Sequence, residues 1–311
     1  MKIVFMGTPA AAVPTLDKIV ATGHEVVAVY TQPDRPSGRG NKVAFSPVKE
    51  RALQLGIPIF QPLKVRTEDA LELFRSHQAD VAVVVAYGRI LPIGFLTAYP
   101  KGAINVHFSL LPKLRGAAPV NWAIANGDEK TGVTTMKMDE GLDTGDILLQ
   151  GETQIAPSET AIELMERLAE LGAELLAETL DRLDEISPKM QAHELATHAP
   201  ILARSDGEID WNLTAKEIAD RVRGFQPFPG SFTSFRGEKL TIWAAGSSSN
   251  VSKFEPGDIL EVERDAIIVG CGDATALRIT ELQQQGRKRL SARDFLNGVK
   301  IEEGERFSQT K

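Results

Sequence analysis

The chain has 311 residues, a formal net charge of −7, 42% hydrophobic and 25% charged residues, and one cysteine, Cys271. That length and ordinary globular usage suit two domains with real cores. A single cysteine excludes an internal disulfide or cysteine-based metal cluster, and apolar runs such as Val81–Ala86 are too short to span a bilayer. The acidic balance argues against indiscriminate nucleic-acid binding: residues 1–205 hold 20 basic and 25 acidic side chains and residues 206–311 hold 15 and 17, so any RNA contact must come from a placed cluster.

Lys2–Met6 enters an apolar strand directly, without a signal-peptide layout, and a cytoplasmic protein is expected. Gly7-Thr8-Pro9 turns the strand into a helix bearing Val13, Leu16, Ile19 and Val20; Gly23 ends it, and Glu25–Tyr30 is the next strand. Strand, helix and strand with short turns begin a doubly wound, mostly parallel Rossmann-like sheet. The first turn lacks the GxGxxG of a dinucleotide site, which disfavours nicotinamide chemistry. Residues 31–42, with Arg35, Arg39 and Lys42 among prolines and glycines, read as a mobile cationic loop. Pro47–Leu55 is a helix with Lys49 and Arg51 exposed, Ile57–Phe60 a strand, and Thr67–Ser76 a helix with Ala70, Leu71, Leu73 and Phe74 inward. The β-branched run Asp80–Ala86 reads as a central parallel strand. Tyr87–Pro92 lies at its carboxyl end, where ligands of open α/β sheets collect, and suits the wall of a pocket for a flat heterocycle.

Ala103–Phe108 is a short buried strand whose alternation puts Asn105 and His107 on one face. An amide donor beside an imidazole suits a reaction that builds negative charge on an oxygen. Gly141-Leu142-Asp143-Thr144-Gly145-Asp146 adds two carboxylates in a glycine-flanked loop. Each feature alone is equally a hydrogen-bonded strand end or an Asx turn. Ala118–Asn126 follows as a helix, Gly132–Met138 as a strand, and a long helix begins after Thr160 with Ala161, Leu164, Leu168, Leu171, Leu175 and Thr179 on one face. Ser187–Ser205 reads as a linker, where His193 and His198 lack acidic or cysteine partners at metal-ligand spacing. Beyond Phe225-Gln226-Pro227-Phe228-Pro229-Gly230, short strands at Phe232–Phe235, Lys239–Ala244, Asp258–Val262, Ala266–Val269 and Ala276–Leu282 suggest a small OB-like β-barrel. Gly237, Gly246, Gly257 and Gly272 read as its turns, Cys271 as core filling, and Ser291 as the cap of a closing helix. Arg287-Lys288-Arg289 is the densest basic run in the chain.

Asn105-x-His107, Ser109-Leu110-Leu111-Pro112-x-x-Arg115-Gly116 and Gly141-Leu142-Asp143-Thr144-Gly145 together resemble the signature of the folate-dependent formyltransferases, and within them the methionyl-tRNA formyltransferase family. The resemblance extends to the 31–42 loop and to the Phe225–Gly230 turn, and so covers nearly the whole chain. It implies a catalytic domain over residues 1–186, a linker over 187–205 and a tRNA-binding barrel over 206–311. The implied reaction moves a formyl group from 10-formyltetrahydrofolate to the α-amino group of methionyl initiator tRNA, without a metal and in a monomer. By the same resemblance Asn105, His107 and Asp143 are catalytic; Ser109, Leu110, Leu111, Pro112, Ile90 and Leu91 hold the folate; and Arg35, Arg39 and Lys42 enter the acceptor arm. Arg287, Lys288 and Arg289, on a barrel beside such a site, are further candidates for RNA contact. Asn105 would donate to the oxyanion of the tetrahedral intermediate, while Asp143 would hold His107 and favour its protonated form. Arg115 is expected to orient the acyl end of the RNA or to pair with Asp143 or Asp146. A sugar-nucleotide N-formyltransferase or a formyltetrahydrofolate hydrolase would share the same three residues. A binding protein without catalysis would need them broken.

Overall fold

The computed structural model describes residues 1–37, 42–248 and 254–308. In chain order they form β1 (Lys2–Gly7), α1 (Val13–Ala21), β2 (Glu25–Tyr30), β3 (Arg35–Ser37), β4 (Lys42–Ala44), α2 (Pro47–Leu55), β5 (Ile59–Phe60), α3 (Glu68–Ser76), β6 (Val81–Val85), α4 (Ile93–Leu96), β7 (Ala103–His107), β8 (Arg115–Gly116), α5 (Pro119–Ala125), β9 (Lys130–Lys137), β10 (Ile147–Gln154) and α6 (Ala161–Asp181). There follow β11 (His198–Ala199), α7 (Ala215–Gly224), β12 (Ser231–Phe235), β13 (Glu238–Ser248), β14 (Ile259–Val262), β15 (Ile267–Gly270), β16 (Ala276–Gln284), β17 (Leu290–Ser291) and α8 (Ala292–Gly298). The chain divides into two compact units that are discontinuous in sequence. One is Met1–Gly116, Thr131–Thr153 and Met165–His198; the other is Ala117–Lys130, Gln154–Leu164 and Ala199–Lys311. No helix among the described residues is long and apolar enough to cross a membrane.

The first unit is built on a seven-stranded sheet in the order β10-β9-β7-β6-β1-β2-β5. From β5 to β7 neighbouring strands run parallel, and β9 is antiparallel to β7. The central position of β6 explains its composition, since all five side chains of VAVVV are buried. After β5 the chain crosses back to place β6 on the other side of β1, and the loops after β1, β2 and β6 meet at the carboxyl ends of these strands. There the Thr8 hydroxyl and the Gln32 amide donate to the Tyr87 carbonyl at 3.2 and 2.9 Å, and Arg89 Nε donates to Gln32 Oε1 at 3.0 Å.

Several local expectations change. The segment expected as an irregular loop includes a two-stranded hairpin, with Arg35 opposite Ala44 and Ser37 opposite Lys42. Pro36 is tolerated because the ladder has only two strands and one of its edges needs no N–H. The expected mobility of residues 38–41, with Arg39, lies outside the described residues. Lys49 is not a solvated cation: its ammonium binds the Asp34 carboxylate and, at 2.8 Å, Gln61 Oε1. These two partners hold the Asp34 carboxyl below the usual carboxylate range. Leu73 is 45% exposed, so the inward face of α3 rests on Phe74 with help from Ala70 and Leu71. The β10 strand was not anticipated. In its sequence ILLQGETQ only Leu148 is buried, and from Leu149 half-buried and exposed positions alternate without a long apolar run.

In the second unit an antiparallel sheet runs β12-β13-β16-β15-β14, with β17 beside β16. Its two edges are joined by the C-terminal segment. Gly304 and Phe307 donate to Ile259 and Gly257 at 2.8 and 2.9 Å, while Ser308 and Ser234 exchange backbone bonds at 3.0 and 2.8 Å. Among the described residues this segment thus pairs with both outer strands, as the barrel expectation required. Ile218 and Val222 of α7 pack with Ile242, Ile279, Leu282 and Cys271 in its core. Gly246, expected as a turn, lies inside β13 opposite Arg278. Ser291 caps α8, accepting from the Asp294 N–H at 3.1 Å.

Candidate active site

Asn105 and His107 stand on one face of β7, paired with Met136 and Thr134 of β9, and only 9% and 5% of each residue is exposed. The His107 ring is fixed at both ends. Nε2 lies 3.0 Å from the Leu114 carbonyl, which can only accept, so Nε2 carries a hydrogen. Nδ1 lies 3.7 Å from Asp143 Oδ2. In the doubly protonated ring each N–H therefore faces an oxygen. Asn105 is different. Among the described residues its carboxamide has no hydrogen-bond partner, and its polar atoms are not among the fully buried ones, which leaves it available to a ligand.

Asp143 adopts φ +53°, a left-handed conformation that, glycine apart, asparagine and aspartate hold most readily. Its carboxylate accepts from the Gly116 N–H at 2.8 Å, and its own carbonyl accepts from Gln191 Nε2 at 2.9 Å. The same Gln191 nitrogen donates to the Gly145 carbonyl at 2.7 Å. Gln191 Oε1 in turn accepts from Arg115 Nε and Nη2 at 3.1 and 2.6 Å, and Arg115 Nη2 also meets His193 Nδ1 at 3.0 Å. Arg115 thus pairs with neither Asp143 nor Asp146. It is 6% exposed and reaches the Asp143 loop through Gln191. Nothing in the sequence marked Gln191, which sits in the stretch expected as a linker; the β-bridge between Lys189 and Ile147 anchors that stretch.

The Ser109–Pro112 turn is tied to its own unit. Ser109 is fully buried and donates to the Lys113 carbonyl at 2.6 Å. The Thr134 hydroxyl donates to the Ser109 carbonyl at 2.7 Å and accepts from the Leu111 N–H at 3.1 Å, while Gln150 Nε2 donates to the Leu111 carbonyl at 2.9 Å. Leu111 is buried, and Leu110 and Pro112 are half-buried. Ile90 and Leu91 line a separate hollow of ≈ 420 Å³ with Leu71, Pro92, Ile93 and Glu140. Ile90 is 69% exposed and Leu91 is buried, so the two differ in availability. Glu140 directly precedes the Asp143 loop.

The basic candidates fall in different settings. Arg35 begins β3 and Lys42 begins β4, and Arg39 lies outside the described residues. Arg287, Lys288 and Arg289 are exposed on the turn between β16 and β17. Arg289 is bound to Glu281 and lies over the Trp243 ring at 5.1 Å, whereas Arg287 and Lys288 have no acidic partner among the described residues. No group of three or more potential metal ligands occurs among the described residues.

Residues 1–180 match the family described as formyl transferase, and residues 201–300 match the formyl transferase C-terminal domain. A methionyl-tRNA formyltransferase of Solibacter usitatus is 49% identical over 99% of both chains, and one of Koribacter versatilis is 52% identical over 96% of both. Among solved structures, HypX from Aquifex aeolicus shares the fold at TM-score 0.65 and 18% identity, covering 97% of this chain and 50% of its own. An N-formyltransferase from Helicobacter canadensis does so at TM-score 0.64 and 18% identity, over 91% and 99%. With both family matches in place and relatives at half identity along its whole length, the chain belongs to the methionyl-tRNA formyltransferase family.

Proposed function

We propose that the chain transfers a formyl group from 10-formyltetrahydrofolate to the α-amino group of methionyl initiator tRNA. The observation that carries this reading is the unpartnered Asn105 amide on the same strand face as the His107–Asp143 pair. When the amine attacks the formyl carbon, negative charge gathers on the formyl oxygen, and the Asn105 amide is a donor with nothing else to bind. Removal of such a donor typically costs about 100- to 1000-fold in rate. The amine must shed a proton and the leaving nitrogen of the folate must gain one. His107 Nε2 is committed to the Leu114 carbonyl, so the exchangeable position is Nδ1, facing Asp143. Those two groups are the relay in this reading, and Asp143 keeps the ring oriented.

A folate fits the surroundings. The hollow beside Leu91, Ile90 and Ile93 is in the size range of small-molecule pockets, with an apolar wall for a flat ring and Glu140 at its polar edge. The Helicobacter canadensis neighbour is itself described in complex with folinic acid. Ser109–Pro112 would border the donor through the half-buried Leu110 and Pro112 side chains. Residues 1–186 would carry the chemistry and residues 206–311 the tRNA contact, with Arg35, Arg39 and Lys42 at the acceptor end and Arg287, Lys288 and Arg289 along the RNA backbone. The names of the relatives support this acceptor, and the cytoplasm is where it is found.

The test is formyl transfer to methionyl initiator tRNA beside a UDP-amino-sugar acceptor, for wild type and Arg39→Ala. Turnover on the tRNA alone, weakened in the variant and steeply salt-dependent, is expected. Formylation of the sugar, or formate release without an acceptor, would refute the tRNA assignment.

A further inference from the structure

Asp143 is held in place by a residue outside the sequence signature. Its carbonyl and that of Gly145 both accept from Gln191 Nε2, at 2.9 and 2.7 Å, so both amide hydrogens are used on one loop. Gln191 is 3% exposed. Its oxygen is clamped by two nitrogens of the buried Arg115, which decides the end of the amide that faces the loop. Arg115 has no carboxylate partner among the described residues; its guanidinium is spent on Gln191 and His193. A buried cation given only neutral partners is costly, which points to a role beyond stability. The bonds to Gln191 span the left-handed Asp143, whose carboxylate in that conformation accepts from the Gly116 N–H and stands 3.7 Å from His107 Nδ1.

We propose that Gln191, oriented by Arg115, is a positioning residue that sets the Asp143 carboxylate against His107. This rests on the functional reading above for its consequence in turnover, and on geometry alone for its effect on Asp143. The Gly116 N–H reports Asp143 directly, because it donates to Oδ2; the Arg115 N–H, bound to the Thr197 carbonyl at 2.9 Å, reports the adjoining backbone.

The experiment is amide hydrogen exchange by NMR on the full-length free protein, for wild type, Gln191→Met and Asp143→Ala. In Gln191→Met the Gly116 amide is expected to exchange at least 10-fold faster, as in Asp143→Ala, while the Arg115 amide keeps its wild-type rate. Wild-type protection at Gly116 would overturn the proposal. Should Gln191→Met loosen both amides, Gln191→Glu decides on the same readout, because it keeps a partner for Arg115 and removes the donors to the loop. Transfer kinetics then form a double-mutant cycle. Gln191→Met should lower kcat about 30- to 300-fold with little change in KM, and should cost nothing further in the Asp143→Ala background. Multiplying losses would refute action through Asp143. If the wild type itself fails to formylate methionyl-tRNA, the functional reading falls while the exchange result still judges the positioning role.

Discussion

Gly145→Ala tests the geometry of the Asp143 loop most severely. A Cβ at Gly145 would stand 1.8 Å from the Lys137 carbonyl oxygen and 2.9 Å from its carbon, at the end of β9. Both obstacles are backbone, so no side chain can swing aside. Restoring an ordinary contact of roughly 3.3 Å requires a displacement of about 1.5 Å between the loop and the strand. The loop is bonded there: the Lys137 N–H donates to the Asp146 carbonyl at 2.9 Å, and Gln191 holds the Gly145 carbonyl. Forced atoms in a packed region typically cost about 1–3 kcal/mol of stability. A misplacement of roughly 1 Å at a reacting group costs on the order of 100-fold in rate. We therefore expect Gly145→Ala to fold with a lowered urea midpoint and to lose about 100-fold or more in kcat for formyl transfer. Gly246→Ala is the control, since a Cβ there meets nothing within 4 Å and the backbone is ordinary strand. A Gly145→Ala enzyme within threefold of wild-type turnover would refute the argument that this loop must hug β9 to place Asp143.

Asn105→Ala should lose about 100- to 1000-fold in kcat while stability changes by less than about 1 kcal/mol, because the amide gives up no protein hydrogen bond; steady-state kinetics beside urea unfolding check both halves. Arg287→Ala with Lys288→Ala should raise KM for methionyl-tRNA and flatten its salt dependence by about 0.7–0.9 per lost phosphate contact, leaving KM for the folate unchanged. Burial lowers the pKa values of His77 and His24 below 6.5, so the unfolded chain binds protons first as pH falls; stability should decline from about pH 6.5 downward, and His77→Gln should make the decline shallower in urea titrations. The Cys271 thiol, pushed up to about 12 by burial, should ignore a thiol reagent at neutral pH until the barrel unfolds.

What could be read in advance follows from the range of the interactions. Strand β6 announced itself because a strand buried on both faces must be apolar throughout, and α8 because Ser291 marks its start. Asn105 and His107 were legible because alternation along a strand fixes their common face without knowledge of any partner. Partners distant in sequence were not legible. Arg115 and Gln191 are 76 residues apart, and no periodicity links a cation at a strand end to an amide in an irregular segment. Lys49 looked solvated because its helix is amphipathic, yet Asp34 and Gln61 approach it from two other elements. The β10 strand escaped for a different reason, since five of its eight residues are polar or glycine and carry no helical or apolar-run signal.

The direction of β9 explains why so much structure is spent on one carboxylate. Because β9 runs antiparallel to β7, Lys137 pairs with Ile104, and the Met138 N–H still bonds to the Ala103 carbonyl. The loop that bears Asp143 therefore leaves β9 at the amino end of β7. His107 is at the other end, three residues and roughly 10 Å away. Asp143 Oδ2 nevertheless stands 3.7 Å from its ring, so the loop must double back along the sheet. Doubling back against a strand demands a position without a side chain, which is Gly145, and a reversal in the backbone, which is the left-handed Asp143. It also turns peptide carbonyls away from any ladder, and those of Asp143 and Gly145 would lack partners unless another element supplied donors. Gln191 supplies both. A parallel β9 would have put its following loop at the His107 end and needed none of these devices. The glycine, the left-handed aspartate and the buried Arg115–Gln191 pair are thus consequences of one topological choice.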